Sequence, residues 1–246
     1  MTAIMKREIL SYFTTPLGYV FLAVFYGFSG LFLWMNCLAV GSAQLSTMSA
    51  QLGGVFVMMF FVLIILIPVL TMRTMSDEKR FKTDQLTLTS PVSIFGLVMG
   101  KFLAAFFVFF CAVLILLVYA VFISAAVNRS GGEFEWASFW GNFMGIILIG
   151  SVFISLGIFI SSLTENQMIA AIGSIGANIA LCMFDIISSY VPVEAIKKAL
   201  TELSVFYKYN EFTLGLFSLK NIVFFLSLCT IFIFLTTRVI ERRRWA

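Results

Sequence analysis

Residues 102–127 read FLAAFFVFFCAVLILLVYAVFISAAV and contain no charged side chain. An α-helix needs about 20 consecutive apolar residues to cross the hydrocarbon layer of a membrane, so this stretch is long enough to span it. The run is unbroken, whereas a strand of a membrane barrel would alternate apolar and polar residues. The stretch therefore predicts a transmembrane helix.

The composition of the whole chain extends this conclusion. Of the 246 residues, 61% are hydrophobic and 11% are charged, and the mean hydropathy is +1.05. Soluble domains have roughly 45–50% apolar and about 25% charged residues. The chain has 29 Phe and no His, which excludes zinc sites of the His-Glu-x-x-His kind and Ser-His or Cys-His relays. We predict an all-α membrane protein without a catalytic or metal site of its own.

Five further runs have the length of a membrane span, and the first of them is too long for the core of a cleaved signal peptide. Together the runs predict one transmembrane domain over residues 1–246. Its six spans lie at about 17–40, 51–70, 95–127, 139–163, 168–191 and 221–240.

Two amphipathic segments accompany the spans. Ile4, Met5, Ile9, Leu10 and Phe13 fall near one helical face, which predicts an N-terminal helix lying flat at the membrane interface. Residues 192–220 repeat apolar side chains at helical spacing, and this pattern predicts an outer amphipathic segment.

The distribution of Lys and Arg predicts the orientation. An even number of spans puts both termini on one side, which then carries eleven of the 16 basic residues. Because basic residues concentrate in cytoplasmic connections, both termini are expected in the cytoplasm. The membrane that the chain crosses is expected to be the bacterial inner (cytoplasmic) membrane. The basic end at 241–244 is interpreted as an anchor to anionic membrane lipid and not as a nucleic-acid patch.

The charged segment between spans two and three is the most informative part of the chain. Residues 71–91 hold seven charged side chains of both signs. Such a segment is neither a polybasic lipid tether nor an acidic tail. It is suited to docking a soluble protein surface, and an ordinary solvated loop is the alternative.

Asp185 is the charged residue inside a predicted span. An ionisable group within the membrane is costly and is a functional candidate by default. We interpret it as a possible intramembrane polar site, with a structural role favoured over a proton relay.

Several short stretches resemble the permease subunit of ABC-2-type transporters. They are residues 68–73 (PVLTMR), 78–80 (EKR), Thr83, 88–92 (LTSPV), 100–102 (GKF), 161–167 (SSLTENQ), 203–204 (LS), 211–212 (EF) and Gly215. Within that superfamily the chain is similar to the branch that contains the gliding-motility permease (GldF-like).

The resemblance implies a six-helix half-transporter with an interfacial N-terminal helix and cytoplasmic coupling helices in the 72–90 and 163–167 connections. Cytoplasmic ABC ATPase subunits would dock beneath them, beside a second permease subunit that is either GldG-like or a second copy. The charged side chains of these connections and the family resemblance together predict one set of contact residues for the ATPase. They are Arg73, Asp77, Glu78, Arg80, Thr83, Asp84 and Glu165.

The function expected from these patterns is that of a permease which couples ATP hydrolysis by a partner to export, or to force transmission across the membrane. The chain has no Gly-x-x-x-x-Gly-Lys-[Ser/Thr] loop, so ATP and Mg would be bound by the partner and no cofactor by this chain. A non-transporting membrane scaffold of an envelope complex and an ion-coupled carrier are the alternatives.

Overall fold

The computed structural model describes residues 2–38, 48–81, 93–129, 133–190, 194–213, 215 and 218–244. Within these ranges the chain forms ten α-helices, no strand and one short π-helical segment, Trp34–Leu38. The helices are α1 (Thr2–Thr14), α2 (Pro16–Leu33), α3 (Met48–Thr71), α4 (Arg73–Arg80), α5 (Ile94–Arg129), α6 (Trp136–Leu163), α7 (Gln167–Tyr190), α8 (Glu194–Leu203), α9 (Val205–Thr213) and α10 (Leu219–Arg244).

Six of the helices in the described ranges, α2, α3, α5, α6, α7 and α10, are long and apolar enough to cross a membrane. They coincide with the six predicted spans, so the all-α membrane fold is confirmed. Helix α5 has 36 residues and is about 54 Å long, which exceeds the roughly 30 Å hydrocarbon thickness. Its first turns therefore extend beyond the apolar layer, where they can carry a charge.

The spans alternate in direction between two ends of the bundle. We call the end that holds α4 and residues 161–167 the inner end, and the end that holds α8 and α9 the outer end. The Tyr209 hydroxyl donates to the Phe56 carbonyl (3.0 Å) near the start of α3, whereas α4 follows the other end of that helix. Helix α1 and the last turns of α10 consequently lie toward the inner end.

Helix α6 lies at the centre of the bundle, where glycines let its neighbours approach. A Cβ atom on Gly157 would fall 2.2 Å from the Thr71 hydroxyl of α3, and one on Gly150 would fall 2.2 Å from the Phe109 ring of α5. Side chains pack into the space that these glycines leave. The close approach fixes α3 and α5 against α6.

Helix α3 contains Pro68, which has no N–H to donate to the Ile64 carbonyl one turn earlier. The buried Asn178 side chain of α7 donates to that carbonyl instead (3.4 Å). Backbone groups inside a membrane must find partners within the protein, and this bond supplies one. It also joins α3 to α7 at mid-bundle.

The N-terminal helix is present as predicted and packs against α5 and α2. Met5, Ile9 and Phe13 contact the core, while Leu10 is largely exposed. Tyr12, outside the predicted apolar face, is the buried residue of the helix. The helix thus docks on the inner end of the bundle, and its contact with a membrane surface stays a prediction.

The outer segment forms two helices, α8 and α9. Helix α9 is inserted into the bundle with Val205, Tyr209 and Phe212 fully buried. A Cβ atom on Gly141 of α6 would lie 2.7 Å from the Phe212 carbonyl oxygen. The small residues of α6 therefore make the room that α9 occupies.

Candidate functional site

Four segments that are distant in sequence meet at the inner end of the bundle. They are α1, α4, the start of α5 and the 161–167 connection between α6 and α7. The side chains that join them are mostly charged or hydroxyl-bearing. This inner-end cluster is the candidate functional site.

Lys101 of α5 is the centre of the cluster and is only 1% exposed. Its ammonium group donates to Glu78 of α4 (2.8 Å), to the Thr74 carbonyl of the same helix (2.7 Å) and to Glu8 of α1 (3.3 Å). A lysine has three N–H donors, and here each has one acceptor. The exposed Arg7 guanidinium also lies 3.5 Å from the Glu78 carboxylate. One cation therefore ties three helices together.

Tyr12 adds a second link between α1 and α4. Its hydroxyl donates to the Leu70 carbonyl and lies 3.4 Å from the Thr74 hydroxyl. Burial raises the pKa of Tyr12 to about 12, while the Thr74 hydroxyl acts weakly in the opposite direction. The phenol therefore keeps its proton near neutral pH and remains a hydrogen-bond donor.

Ser161 joins α4 to the end of α6. Its hydroxyl accepts from the backbone N–H groups of Met75 and Ser76 (3.1 Å each) and donates to the Met72 carbonyl (3.0 Å). Helix α4 has no capping side chain of its own at Met72. The first N–H groups of a helix ordinarily lack partners within it, and a nearby hydroxyl can satisfy them. Ser161 performs this role from another helix.

Further contacts join α4 to the 161–167 connection. Arg73 donates to Asp77 (2.9 Å), and the same carboxylate accepts from the Gln167 side chain at the start of α7. The Lys79 ammonium contacts the Ser162 carbonyl. As a result, α4 and the 161–167 connection form one packed unit.

The predicted contact residues separate into two groups. Arg73, Asp77 and Glu78 are turned into the cluster and hold it together, whereas Arg80 and Glu165 are exposed. Thr83 and Asp84 lie outside the described residues. Asp185 lies within α7, and its role as a polar site stays a prediction.

Sequence reasoning did not assign five residues of the site: Glu8, Tyr12, Lys101, Ser161 and Gln167. Lys101, Ser161 and Gln167 lie in stretches that resemble the ABC-2 permease, and Lys101 is also a charge placed directly against a long apolar run. Exposed apolar side chains were also missed. Phe81 (67% exposed), Leu163 and Met168 lie on the two segments that Lys79 and Ser161 join, next to Arg80 and Glu165.

Comparison with known proteins gives the family. A sequence profile described as ABC-2 family transporter protein matches residues 9–245. No curated protein matches the chain. The match covers nearly all of the sequence, so the chain belongs to the ABC-2 transporter family and is a multi-pass membrane component of a transporter.

Proposed function

We propose that this ABC-2 family chain is the permease subunit of an ABC transporter, and that α4 with the 161–167 connection docks a separate cytoplasmic ATPase. The family membership supports the permease role. The partner would bind ATP and Mg, since this sequence contains no phosphate-binding loop of the Walker type. The free energy of ATP hydrolysis by the partner must then reach this chain as a displacement of its docked segments.

The observation that carries the proposal is the triple hydrogen bonding of Ser161 to the backbone of α4. These bonds hold α4 and the 161–167 connection together, so the two should move as one. Helix α4 continues from α3, and the 161–167 connection joins α6 to α7. A displacement of the unit is therefore transmitted to three membrane helices at once, as in a shift between two packed arrangements.

The exposed surface of the unit has the composition of a docking surface. Phe81, Leu163 and Met168 supply apolar area, and Arg80 and Glu165 supply charges of opposite sign beside it. An apolar centre with a charged rim is typical of protein–protein contacts. In the proposed function Glu78 and Asp77 support this surface from behind and do not contact the partner directly.

Substitution of Ser161 by alanine tests the coupling. It removes the acceptor for two N–H groups and is expected to destabilise the chain by about 1 kcal/mol. The larger effect is expected on function: the partner ATPase still binds, but its stimulation by the permease falls severalfold. The measurement is ATP hydrolysis by the co-purified complex in lipid vesicles.

Ser162→Ala is the matched control, because the neighbouring Ser162 hydroxyl is also buried and donates to the Phe159 carbonyl of its own helix (2.6 Å). We expect this variant to keep normal stimulation. Equal stimulation by Ser161→Ala and Ser162→Ala would contradict the proposed coupling.

The finer assignment follows the sequence resemblance to the gliding-motility branch. We propose that the chain pairs with a second, different permease chain, that both of its termini are cytoplasmic, and that the complex lies in the bacterial inner membrane. The eleven basic residues assigned to the inner side support this orientation. Purification of the intact complex, followed by identification of its subunits, distinguishes this arrangement from two copies of the same chain.

A further inference from the structure

Two cavities lie along the boundary between α2 and the successive helices α3 and α4. The first, of about 160 Å³, is at the inner end and is lined mainly by polar and charged side chains of α1, α4 and α5. The second, of about 530 Å³, is a groove between α2 and α3 lined by apolar residues alone. Its lining residues are Val24, Phe28, Phe32, Met58, Phe61, Val62, Ile65 and Leu66.

The two cavities lie on the same faces of both helices. On α2, Leu17 lines the polar cavity and Val24 lines the groove; on α3–α4, Arg73 lines the polar cavity and Leu66 lines the groove. Each pair is seven residues apart, which is two helical turns and about 10 Å. A polar compartment therefore sits about 10 Å along the helix axes from an apolar one.

The charges around the polar cavity are balanced. Arg7, Arg73 and Lys101 contribute three cations, and Glu8, Asp77 and Glu78 contribute three anions. Lys101 is saturated by its own partners, whereas the side chains of Arg7 and Arg73 are 71% and 40% exposed. Guanidinium groups suit phosphate, and carboxylates retain acceptor sites for an amine. A ligand with one negative and one positive group complements this lining.

We propose that the two cavities form one binding site for a zwitterionic aminophospholipid of the inner leaflet, of the phosphatidylethanolamine class. The phosphate lies against Arg7 and Arg73, and the amine faces the carboxylates of the cavity. An acyl chain lies in the groove beside Val24 and Phe28. The lipid thereby fills the boundary between α1, α2 and the successive helices α3 and α4.

The site shares Arg73, Asp77 and Glu78 with the unit that docks the ATPase, but it differs from the proposed ATPase contact at exposed Arg80 and Glu165. Its ligand approaches from the membrane, and its lining includes α2. The α2 groove also distinguishes a lipid from a soluble phosphate or phosphoamine. A soluble ligand would need only the polar cavity, whereas a lipid needs both compartments.

The test measures the lipid retained by the full chain. Purified protein is incubated with vesicles of equimolar phosphatidylethanolamine, phosphatidylglycerol and phosphatidylcholine, re-isolated in detergent and examined by native mass spectrometry. We expect one phosphatidylethanolamine to be retained in preference to the other two lipids. Arg7→Ala removes a charge-assisted contact and Val24→Trp fills the groove, and each is expected to lower retention about tenfold.

The chain offers a matched control for each variant. Lys6→Ala removes an exposed cation from the same helix, and Val20→Trp makes the same exchange at a valine that does not line the groove. Both controls should retain the lipid like the parent protein, and thermal unfolding checks that all four variants fold. Equal retention of the three lipids, a preference for phosphatidylglycerol, or loss in Arg7→Ala but not in Val24→Trp would overturn the proposal.

Discussion

Replacement of Lys101 by methionine is expected to destabilise the chain by about 3 kcal/mol, the largest effect of a single charge change in this molecule. The substitution keeps the length of the side chain and removes its charge. It leaves Glu8 and Glu78 facing each other in a nearly buried site, with side chains 14% and 15% exposed. Arg7 still lies 3.9 Å from Glu8 and 3.5 Å from Glu78, but it is 71% exposed, so solvent screens its attraction. The two carboxylates then repel each other, and α1 should separate from α4. Thermal unfolding of the detergent-solubilised protein measures the effect.

The same prediction can be checked by restoring charge balance. The triple variant Lys101→Met, Glu8→Gln, Glu78→Gln contains no buried charge at this site, and the Arg7 side chain that loses its partners is 71% exposed to water. It should recover most of the lost stability, since neutral replacement of a buried ion pair is often well tolerated. Lys220→Met at the outer end is the control, because Lys220 is 66% exposed and its pair with Glu202 contributes little. If Lys101→Met unfolds at the temperature of the parent protein, the central role of Lys101 is wrong.

Replacement of Gly141 by leucine is the second large expected effect. A Cβ atom there would lie 2.7 Å from the Phe212 carbonyl oxygen and 3.2 Å from the Gly215 Cα atom, both of them backbone atoms. No side-chain rotation can relieve this overlap, so α9 must move out of the bundle. We expect a loss of roughly 3 kcal/mol, at the upper end of overpacking costs. The measurements are thermal unfolding and protease accessibility of the outer segment.

Gly27→Leu is the control for this prediction. A Cβ atom on Gly27 meets nothing within 4 Å, and the residue is exposed on α2. Leucine is also a better helix former than glycine, so this variant should be as stable as the parent protein or slightly more so. Equal stability of the two leucine variants would show that α9 is not held against α6 as described.

The membrane fold could be predicted from sequence because each span depends on a local property. An uncharged run such as residues 102–127 leaves no alternative to a helix in the membrane. The mixed charges of residues 71–91 likewise marked the connection that contains α4, although the helix itself was expected only from the family resemblance. These features need no knowledge of which segments are neighbours.

The contacts within the site could not be predicted in this way. Lys101 is 93 residues from Glu8 in the chain, and Ser161 is 86 residues from Met75. Ser161 and Ser162 are alike in sequence, and only the packing of α4 against α6 gives them different partners. For the same reason Glu78 reads as a surface charge in the sequence but pairs with a buried lysine in the structure. The insertion of α9 into the bundle could not be predicted either, because it depends on Gly141 and Gly145 of a different helix, α6.

The proposed docking of a soluble ATPase on α4 and the 161–167 connection can be tested by crosslinking. A photo-crosslinking amino acid is placed at the exposed positions Arg80 and Glu165, with exposed Lys198 on the outer helix α8 as the control. Irradiated membranes are then searched for crosslinked proteins. We predict that positions 80 and 165 each capture a nucleotide-binding ATPase and that position 198 does not. Capture of the ATPase from position 198, or from neither inner position, would contradict the account.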